Sequence, residues 1–346
     1  MPKIDYKSAG VNIDAGNEAV NRIKSKVQST YTPAVLSELG GFSSFYDLSS
    51  VFKTYTHPVM VQSIDGVGTK IIVARLMRNY TTIGHDLMSA CCNDIIVHGA
   101  RPLTFLDYIA NDRLEPVIVE AIVSGIADAC CKIGVSLVGG ETAEMPDTYL
   151  PGENDLVGIV TGVVERDKII NGSAIQPGDV LIGIESSGLH TNGYSLARKL
   201  FFDVGRYTVN TSLPELDRTV GETLLEPHIN YTNPVLSLLD TGIPVNGIAH
   251  ITGGGFIDNL PRILPAGCSV EIEKGAWPIL PVFSIMQELG ELDSAEMYRT
   301  FNMGIGLVLV VPEAEVNLIL EKTGDSALQA WRLGSIISGN RQIHLI

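Results

Sequence analysis

The chain has 346 residues, of which 45% are hydrophobic and 18% charged, and this composition excludes an intrinsically disordered protein. Its 24 basic and 39 acidic residues give a formal net charge of −15, and no basic cluster offsets that field. These charges argue against a nucleic-acid partner or an anionic membrane surface, while the length predicts two domains rather than one.

The cysteines are odd in number and form no CxxC pair, which argues against a disulfide framework and against a structural zinc site. The sequence therefore predicts a reducing, cytoplasmic location. The first ten residues lack the apolar segment of a signal peptide. The longest apolar runs, such as 307–311, are far shorter than the roughly 20 residues that span a bilayer. The five cysteines are Cys91, Cys92, Cys130, Cys131 and Cys268.

The first fifty residues are rich in Gly and Ser, and we predict an ordered loop there that includes the doublet Gly40-Gly41. A β-strand is predicted at 59–64. It ends in a carboxylate, and the following turn resembles a phosphate-binding loop without the residue order GxxxxGK[ST] of a P-loop. That turn consists of Asp65, Gly66, Val67, Gly68, Thr69 and Lys70.

A helix is predicted from Asp86 to Gly99, and its apolar sequence is interrupted by three polar residues. At about 100° per residue, Asp86 and Asn93 share a face, with Asp94 on the adjacent flank. An unpaired carboxylate in such a helix costs several kcal/mol, so a bound cation or a lysine is the expected partner. Asp94 is either a cation ligand or a capping or solvent-facing residue, and Asp86 is predicted to be an N-cap.

Further strands are predicted at 103–109, 135–138 and 156–164, with a helix at 116–134. We expect the strand at 135–138 to end in a tight turn in which Gly139-Gly140 take positive φ. Glu141 would then lie at the sheet edge where ligand sites of open α/β sheets concentrate. Glu141 is a metal candidate and Glu144 a solvated second acid, although a plain polar turn explains both.

The polar segment at 171–179 predicts a boundary between an N-terminal domain at 1–170 and a C-terminal domain at 171–346. Beyond it, strand signals alternate with helical patterns, so the fold class is two mixed α/β domains. The strands are predicted at 180–185, 245–251, 269–273 and 305–311, and the helices at about 192–203, 230–240, 254–264, 279–290 and 312–323.

The segment Ser186–Gly193 follows a strand and precedes a helix, which predicts an anion site suited to a phosphate monoester. His190 could donate to an oxyanion or act as an acid or base, or it could be an exposed residue beside a well-capped helix. A second strand, three-glycine turn and helix follow at 249–262. We interpret His250 there as a structural strand-end residue. His228 has no partner spacing and receives no role.

Together these segments resemble the phosphoribosylformylglycinamidine cyclo-ligase family, the aminoimidazole ribonucleotide synthetases. The matching stretches span nearly the whole chain in order. They are YKSAGVNIDAGN (6–17), GGF (40–42), DGVGTK (65–70), GHDLMSACCNDIIVHGARP (84–102), FLDYIA (105–110), SLVGGETAEMP (136–146), SSGLHTNGYSL (186–196), AHITGGGF (249–256) and EMYRTFNMGIG (296–306).

The resemblance implies two α/β domains per subunit and a homodimer in which two N-terminal domains close a β-barrel. It implies ATP and Mg²⁺ as cofactors and a reaction that closes formylglycinamidine ribonucleotide to aminoimidazole ribonucleotide, releasing ADP and phosphate. The formyl amide oxygen would be phosphorylated, and a substrate nitrogen would then attack the activated carbon.

The resemblance also assigns residues. It implies that Asp65, Asp94 and Glu141 hold Mg²⁺, that Lys24 lies near ATP, and that His190 and Lys70 are catalytic. In this interpretation the glycines after Asp65 let backbone approach the phosphates, and Lys70 meets their charge. The full ATP-binding set is Lys24, Gly40, Gly41, Asp65, Gly66, Gly68, Thr69, Lys70, Asn93, Asp94, Gly139, Gly140 and Glu141. The substrate-binding set is Ser187, Gly188, His190, Thr191, Asn192 and Gly193.

Two alternatives stay open from the sequence. One is a different ATP-using enzyme of the same superfamily, such as a selenophosphate synthetase, a thiamine-phosphate kinase or a hydrogenase-maturation factor. The chain lacks the early reactive Cys of the first and the Cys-containing tail of the last. The other is an inactive nucleotide-binding protein, which would be expected to lose Asp65, Lys70 or Glu141.

Overall fold

A computed structural model describes Tyr6 and residues 9–346. The expected absence of a leader peptide rests on the first ten residues, which are only partly among those described. Lys7 and Ser8, which belong to the family resemblance, lie outside them. The described chain forms two compact units. The first contains the residues up to Ile95 together with Arg101–Arg166, and the second contains Ile96–Ala100 together with Asp167–Ile346.

The first unit is built on a four-stranded sheet with the order β1-β4-β2-β3. Only the β2–β3 pair is parallel, and the other neighbours are antiparallel. The strands are β1 (Pro58–Gly66), β2 (Arg101–Asn111), β3 (Ser136–Glu144) and β4 (Asn154–Glu165).

Five helices belong to this part of the chain. The first is N-capped by Asn12, whose side chain accepts from the backbone of Ala15. The fifth has Pro116 at its first position and ends at Gly134 in the left-handed conformation. The last residue of the fourth, Ile96, lies in the second unit. The helices are α1 (Ile13–Ser29), α2 (Ser49–Thr54), α3 (Lys70–Met77), α4 (Ile83–Ile96) and α5 (Pro116–Ile133).

The strand register places two acids in one row across the first sheet. Asp65 pairs with Gly158, Gly158 with Asp107, and Asp107 with Gly140. Directly paired residues point to the same face of a sheet. A Cβ on Gly158 would meet Cys91 and Leu87 of α4, so this row faces the helices.

The second unit contains a six-stranded mixed sheet with the order β10-β7-β9-β5-β8-β6. Its most buried strand is β8, in which all seven residues are inaccessible to solvent. The strands are β5 (Val180–Glu185), β6 (Gly247–His250), β7 (Cys268–Ile272), β8 (Ile305–Val311), β9 (Ala330–Ser338) and β10 (Ile343–Leu345).

Seven helices complete the second unit: α6 (Tyr194–Arg198), α7 (Val220–Leu224), α8 (Thr232–Asp240), α9 (Gly255–Asn259), α10 (Pro281–Gly290), α11 (Ser294–Thr300) and α12 (Val316–Asp325). Apolar side chains of β5, β6, β8, α8 and α12 share one buried cluster, which also contains Ile96. In the described part of the chain, no helix is long and apolar enough to cross a membrane.

The predicted fold class of two mixed α/β regions is confirmed. The eight predicted strands form, but β9 and β10 were missed, as were the helices α1, α2, α3, α7 and α11. The prediction of a tight turn at Gly139-Gly140 is wrong, because both glycines continue β3 and neither has positive φ. The closure of a barrel across a dimer stays a prediction.

Candidate functional site

The end of β1 and the last turn of α4 bring two of the predicted acids to one place. Asp65 is the second-last residue of β1, and Asp94 lies in α4. The Ser63 hydroxyl donates to Oδ2 of Asp94 at 3.0 Å, which fixes this carboxylate against the strand two residues before Asp65. The thiol of Cys91 lies nearby: burial, and then the charges of Asp65 and Asp94, raise its pKa. Asp65 and Asp94 therefore share one corner of the first unit.

The turn after Asp65 is shaped by its own packing. Oδ1 of Asp65 accepts the Gly66 N–H at 2.7 Å. A Cβ on Gly66 would lie 2.9 Å from the Leu156 carbonyl, and Gly68 has φ +53°. Both positions favour glycine before any ligand is considered. Thr69 then precedes α3, whose first N–H groups have no partner within the helix.

Lys70 is not at the surface of this corner. Its Nζ lies 2.8 Å from Oδ2 of Asp86, and both side chains are 0% exposed. The prediction that Asp86 is an N-cap is therefore wrong. The phosphate contact of Lys70 stays a prediction, and here its ammonium group is paired with Asp86. Asp86 is the fourth residue of α4 and pairs with the lysine, one of the two partners that its apolar helix required. Asn93 is also fully buried.

Glu141 occupies a different part of the sheet. It is exposed on β3, opposite Tyr108 of β2. From β1 to β3 there are three strand spacings, roughly 14 Å in all at about 4.8 Å each. Among the described residues, no group of three carboxylates has converging ligand atoms. Asp65, Asp94 and Glu141 therefore do not converge on one point among the described residues.

Glu141 instead borders a cleft of about 740 Å³. The loop at 38–44 forms one side, and the α1 residues from Gly16 to Val27 form another. Lys24 is exposed on α1, four residues after Val20 in the cleft wall. Five residues of the predicted ATP-binding set line this cleft: Gly40, Gly41, Gly139, Gly140 and Glu141.

Asp107 also lines this cleft, and the sequence analysis gave it no role. A Cβ on Gly140 would lie 2.1 Å from its Oδ1, so the carboxyl group occupies the space of the missing side chain. Burial raises the pKa of Asp107 to about 7. A carboxyl group that exchanges its proton near neutral pH is a candidate functional group, and only its depth in the fold reveals it.

Glu144 is not the solvated acid that the sequence suggested. Its carboxylate accepts the backbone N–H of Leu114 at 2.9 Å and the N–H of Asn12. These bonds join the end of β3 to the start of α1 and to the loop before α5. Glu144 therefore stabilises the cleft wall.

The predicted substrate loop at 186–193 is mostly buried, and its polar groups bond within the second unit. The Ser186 hydroxyl lies 3.0 Å from the Gly188 carbonyl and 3.1 Å from Oδ1 of Asn302. Ser187 Oγ donates to the Pro227 carbonyl. Gly193 has φ +76° and packs on Phe301. The following helix, α6, has only five residues before it becomes a π-helical turn, so the predicted helix N-terminal anion site is weak.

His190 is brought against two other buried histidines. Its ring stacks on His228 with centroids 4.0 Å apart, and its Nε2 accepts the Ser187 N–H at 3.3 Å. Nε2 of His228 lies 3.3 Å from Nε2 of His250. The alternative of an exposed His190 is wrong, because only 1% of its surface is accessible. Thr191 joins the group through its hydroxyl, 3.4 Å from Nδ1 of His228.

Sequence reasoning missed His228, His250 and Gly306. The histidines come from the loop before α8 and the end of β6, and no local spacing links them to His190. A Cβ on Gly306 would lie 2.0 Å from the Tyr231 hydroxyl and 2.6 Å from Cε1 of His190. The GxG in NMGIG is thus explained by packing beneath His190 rather than by a dinucleotide.

Comparison with known proteins covers nearly the whole chain. Residues 46–164 match the family described as AIR synthase related protein, N-terminal domain, and residues 176–345 match its C-terminal domain. A phosphoribosylformylglycinamidine cyclo-ligase of Trichlorobacter lovleyi is 49% identical over 97% of this chain and 96% of its own length. Proteins of the same name from Bifidobacterium animalis and Geobacter metallireducens are 47% and 48% identical, with coverage of 97% or more of both chains.

Solved structures share the fold at lower identity. A thiamine-monophosphate kinase from Stenotrophomonas maltophilia has a TM-score of 0.69 at 17% identity, covering 95% of both chains. A hydrogenase maturation protein HypE in complex with ATP has a TM-score of 0.65 at 20% identity, covering 94% of this chain and 90% of that one. At such identities the likeness extends to the fold alone.

Proposed function

Because the chain belongs to the phosphoribosylformylglycinamidine cyclo-ligase family, we propose that its first unit positions ATP and its second positions the ribonucleotide substrate. The enzyme is a ligase of purine biosynthesis. It closes formylglycinamidine ribonucleotide to 5-aminoimidazole ribonucleotide in an ATP-dependent reaction that releases ADP and phosphate. The thiamine-monophosphate kinase and HypE alternatives have only the fold in their favour.

The phosphates are assigned to the corner of Asp65 and Asp94. The observation that carries this assignment is the bond from Ser63 to Asp94, which puts the second carboxylate on the helix-covered face beside Asp65. Two carboxylates are oxygen donors of the kind that Mg²⁺ prefers, and neither is fully buried. Mg²⁺ held there would neutralise the charge of the phosphates. The start of α3 adds N–H groups oriented for an anion.

Lys70 stabilises the corner of Asp65 and Asp94 from a buried position. Its ion pair with Asp86 joins the first residue of α3 to the first turn of α4. Because the pair is buried, it fixes the turn at 65–69 between the two helices. We therefore reassign Lys70 from a phosphate contact to a positioning residue.

Glu141 is proposed to act apart from Asp65 and Asp94. It lines the cleft that contains Gly40 and Gly41, and Lys24 is an exposed residue of α1, which supplies one wall of that cleft. An exposed carboxylate and an exposed lysine suit a second ion or the polar groups of a nucleotide. Glu141 would then tolerate substitution better than either acid at the other corner.

His190 is proposed to hold the substrate at the reacting amide. Since Nε2 accepts a backbone N–H, a neutral ring carries its proton on Nδ1, where it can donate to oxygen. Phosphorylation of the formyl oxygen makes this oxygen a leaving group. The attacking nitrogen then forms the ring bond as phosphate departs. Because only 1% of the His190 surface is accessible, the substrate would have to displace part of the loop to reach this donor.

A homodimer through the open face of the first sheet is proposed as well. Met60 and Ile64 of β1 are 67% and 66% exposed, and Leu106 of β2 is 37% exposed. The first two lie on the same face of one edge strand, and a second copy would cover these exposed apolar side chains. Light scattering should give a dimer mass for the wild type and a monomer for Met60→Glu/Ile64→Lys. A monomeric wild type at micromolar concentration would contradict the proposal.

The reaction itself is tested with purified protein, Mg²⁺, ATP and formylglycinamidine ribonucleotide. We expect ADP and the aminoimidazole product to appear together in equal amounts, and neither without the ribonucleotide. ADP formed with thiamine phosphate instead would favour a kinase. Nucleotide-induced thermal stabilisation without turnover would favour an inactive relative. The free state of all five cysteines suits the cytoplasmic location that we propose for this pathway.

A further inference from the structure

Three buried histidines of the second unit form a cluster, and the proposed cyclo-ligase mechanism uses only His190 among them. His190 follows β5, His228 precedes α8, and His250 ends β6. Their exposed fractions are 1%, 0% and 7%. Each offers a ring nitrogen, and the three nitrogens lie within 4.8 Å of one another. Among the described residues this is the one group of three His, Cys, Asp or Glu side chains whose ligand atoms converge.

We propose that His190, His228 and His250 form a binding site for a divalent transition metal such as Zn²⁺, distinct from the acidic Mg²⁺ corner. Imidazole nitrogen is a preferred ligand of Zn²⁺, Co²⁺ and Ni²⁺, whereas Mg²⁺ prefers oxygen. Zinc is often bound by three histidines, with its fourth coordination position left for water or a substrate oxygen.

The spacing of the rings fits this assignment. Two nitrogens on a tetrahedral zinc ion at 2.0–2.1 Å are roughly 3.3–3.4 Å apart. Nε2 of His228 and Nε2 of His250 are 3.3 Å apart. An ion can therefore replace the proton that these two nitrogens now share, without separating the rings.

A second shell is present for the central ligand. The Thr191 hydroxyl lies 3.4 Å from Nδ1 of His228 and can accept its proton, which leaves Nε2 as the metal-binding nitrogen. A hydrogen bond at the other ring nitrogen is the usual support of a metal-bound histidine. When Nδ1 of His228 donates to Thr191, the ring is in the tautomer that the site needs.

His190 must move to complete the site. Its ring is stacked on His228 at an interplanar angle of 19°, so the in-plane lone pairs of the two rings do not meet. A tilt of the His190 ring brings a nitrogen toward the ion and breaks its bond with the Ser187 N–H. If His190 holds the substrate as proposed above, metal binding disables the substrate loop. The expected consequence is inhibition by zinc that Mg²⁺ does not relieve.

Metal binding is tested on the full chain without substrate. Chelator-treated protein in millimolar Mg²⁺ is titrated with Co²⁺, and the visible absorption of low-coordinate cobalt is recorded. We expect one Co²⁺ per chain, displaced by one Zn²⁺. His228→Gln should weaken the affinity by more than about 100-fold, since even second-shell partners are worth about 10–100-fold. His344→Gln, at an exposed residue of β10, should leave it unchanged.

The proposal is overturned if the wild type shows no stoichiometric cobalt band, which needs no variant to interpret. It is also overturned if His228→Gln and His250→Gln both bind as the wild type does. Circular dichroism checks that each variant is folded. Cobalt binding by a protein without cyclo-ligase activity would contradict the proposed function and support the metal site. Normal turnover without cobalt binding would support the proposed function and contradict the metal site.

Discussion

The candidate sites of the two units contain different kinds of polar group. The corner at Asp65 and Asp94 contains charged groups, with the Lys70–Asp86 ion pair buried beneath it. The loop at 186–193 contains hydroxyl, amide and imidazole groups that bond to one another and to backbone. The first arrangement suits a ligand that brings its own charge. The second suits the precise placement of a less charged group.

This contrast predicts that substitutions in the first unit act mainly through charge, and those in the second through the loss of single hydrogen bonds. The largest effect is expected at Lys70. Lys70→Met leaves Asp86 as a buried charge and should lower the free energy of unfolding by about 3–5 kcal/mol. Urea denaturation measures this loss.

The double variant Lys70→Met/Asp86→Leu supplies the control, because it removes both charges. We expect it to recover most of the stability. A single variant that unfolds at the wild-type urea concentration would show that the pair is not desolvated, and the contrast between the units would fail at this point.

Asp65→Asn should reduce kcat by about 100-fold or more, the scale observed when one group that stabilises developing charge is lost. The fold should survive because Asp65 is only half-buried. Steady-state ADP release measures the change. Asp128→Asn, at an exposed residue of α5 paired with Lys26, is the matched control and should be near wild type. Wild-type turnover of Asp65→Asn in saturating Mg²⁺ would refute the assignment.

In the second unit, Ser186→Ala removes a hydroxyl that bonds to Gly188 and Asn302. The expected loss of stability is about 1–3 kcal/mol, because buried polar partners are left behind, together with a higher KM for the ribonucleotide. Ser237→Ala on the exposed side of α8 is the control. A loss of stability as large as that of Lys70→Met would contradict the predicted difference between the two units.

A separate effect, seen as a dependence on pH rather than on ligand, is conferred by Asp107. Its folded pKa is about 7, above the ordinary value of 3.8, because the carboxyl is buried. The folded chain therefore retains a proton that the unfolded chain loses. The free energy of unfolding falls as the pH rises from about 4 to about 7. The slope is ~1.4 kcal/mol per pH unit. In Asp107→Asn this component should vanish. Denaturation at pH 5, 6 and 7 tests it, and parallel curves for the two proteins would exclude it.

Local signals made part of the fold and site predictable. Alternating apolar residues located β1, and a carboxylate at its end identified Asp65 as a candidate. The sequence also showed that an acid in α4 needed a cation or a lysine, but not that Lys70 was the partner of Asp86. That pairing depends on how α3 and α4 pack. Helix α1 was missed although its amphipathic pattern is strong, because the first fifty residues were interpreted from their Gly and Ser content as a loop region.

Other features are set only by the assembled sheets. Glu141 is separated from Asp65 by strand order, which no spacing along the chain reveals. His228 and His250 reach His190 from different elements of the second unit. Gly140 was predicted to bind ATP, but it makes room for the side chain of Asp107, and Gly306 likewise makes room for Tyr231.

The separation of Asp65 and Asp94 from Glu141 is tested most directly by double-mutant cycles on the Mg²⁺ activation constant. Asp65→Asn, Asp94→Asn and Glu141→Gln are measured singly and in pairs. If Asp65 and Asp94 share one ion, their effects should be strongly non-additive, whereas Asp65 and Glu141 should be additive within about 0.5 kcal/mol. Additive effects for Asp65 and Asp94, or strong coupling between Asp65 and Glu141, would contradict the account.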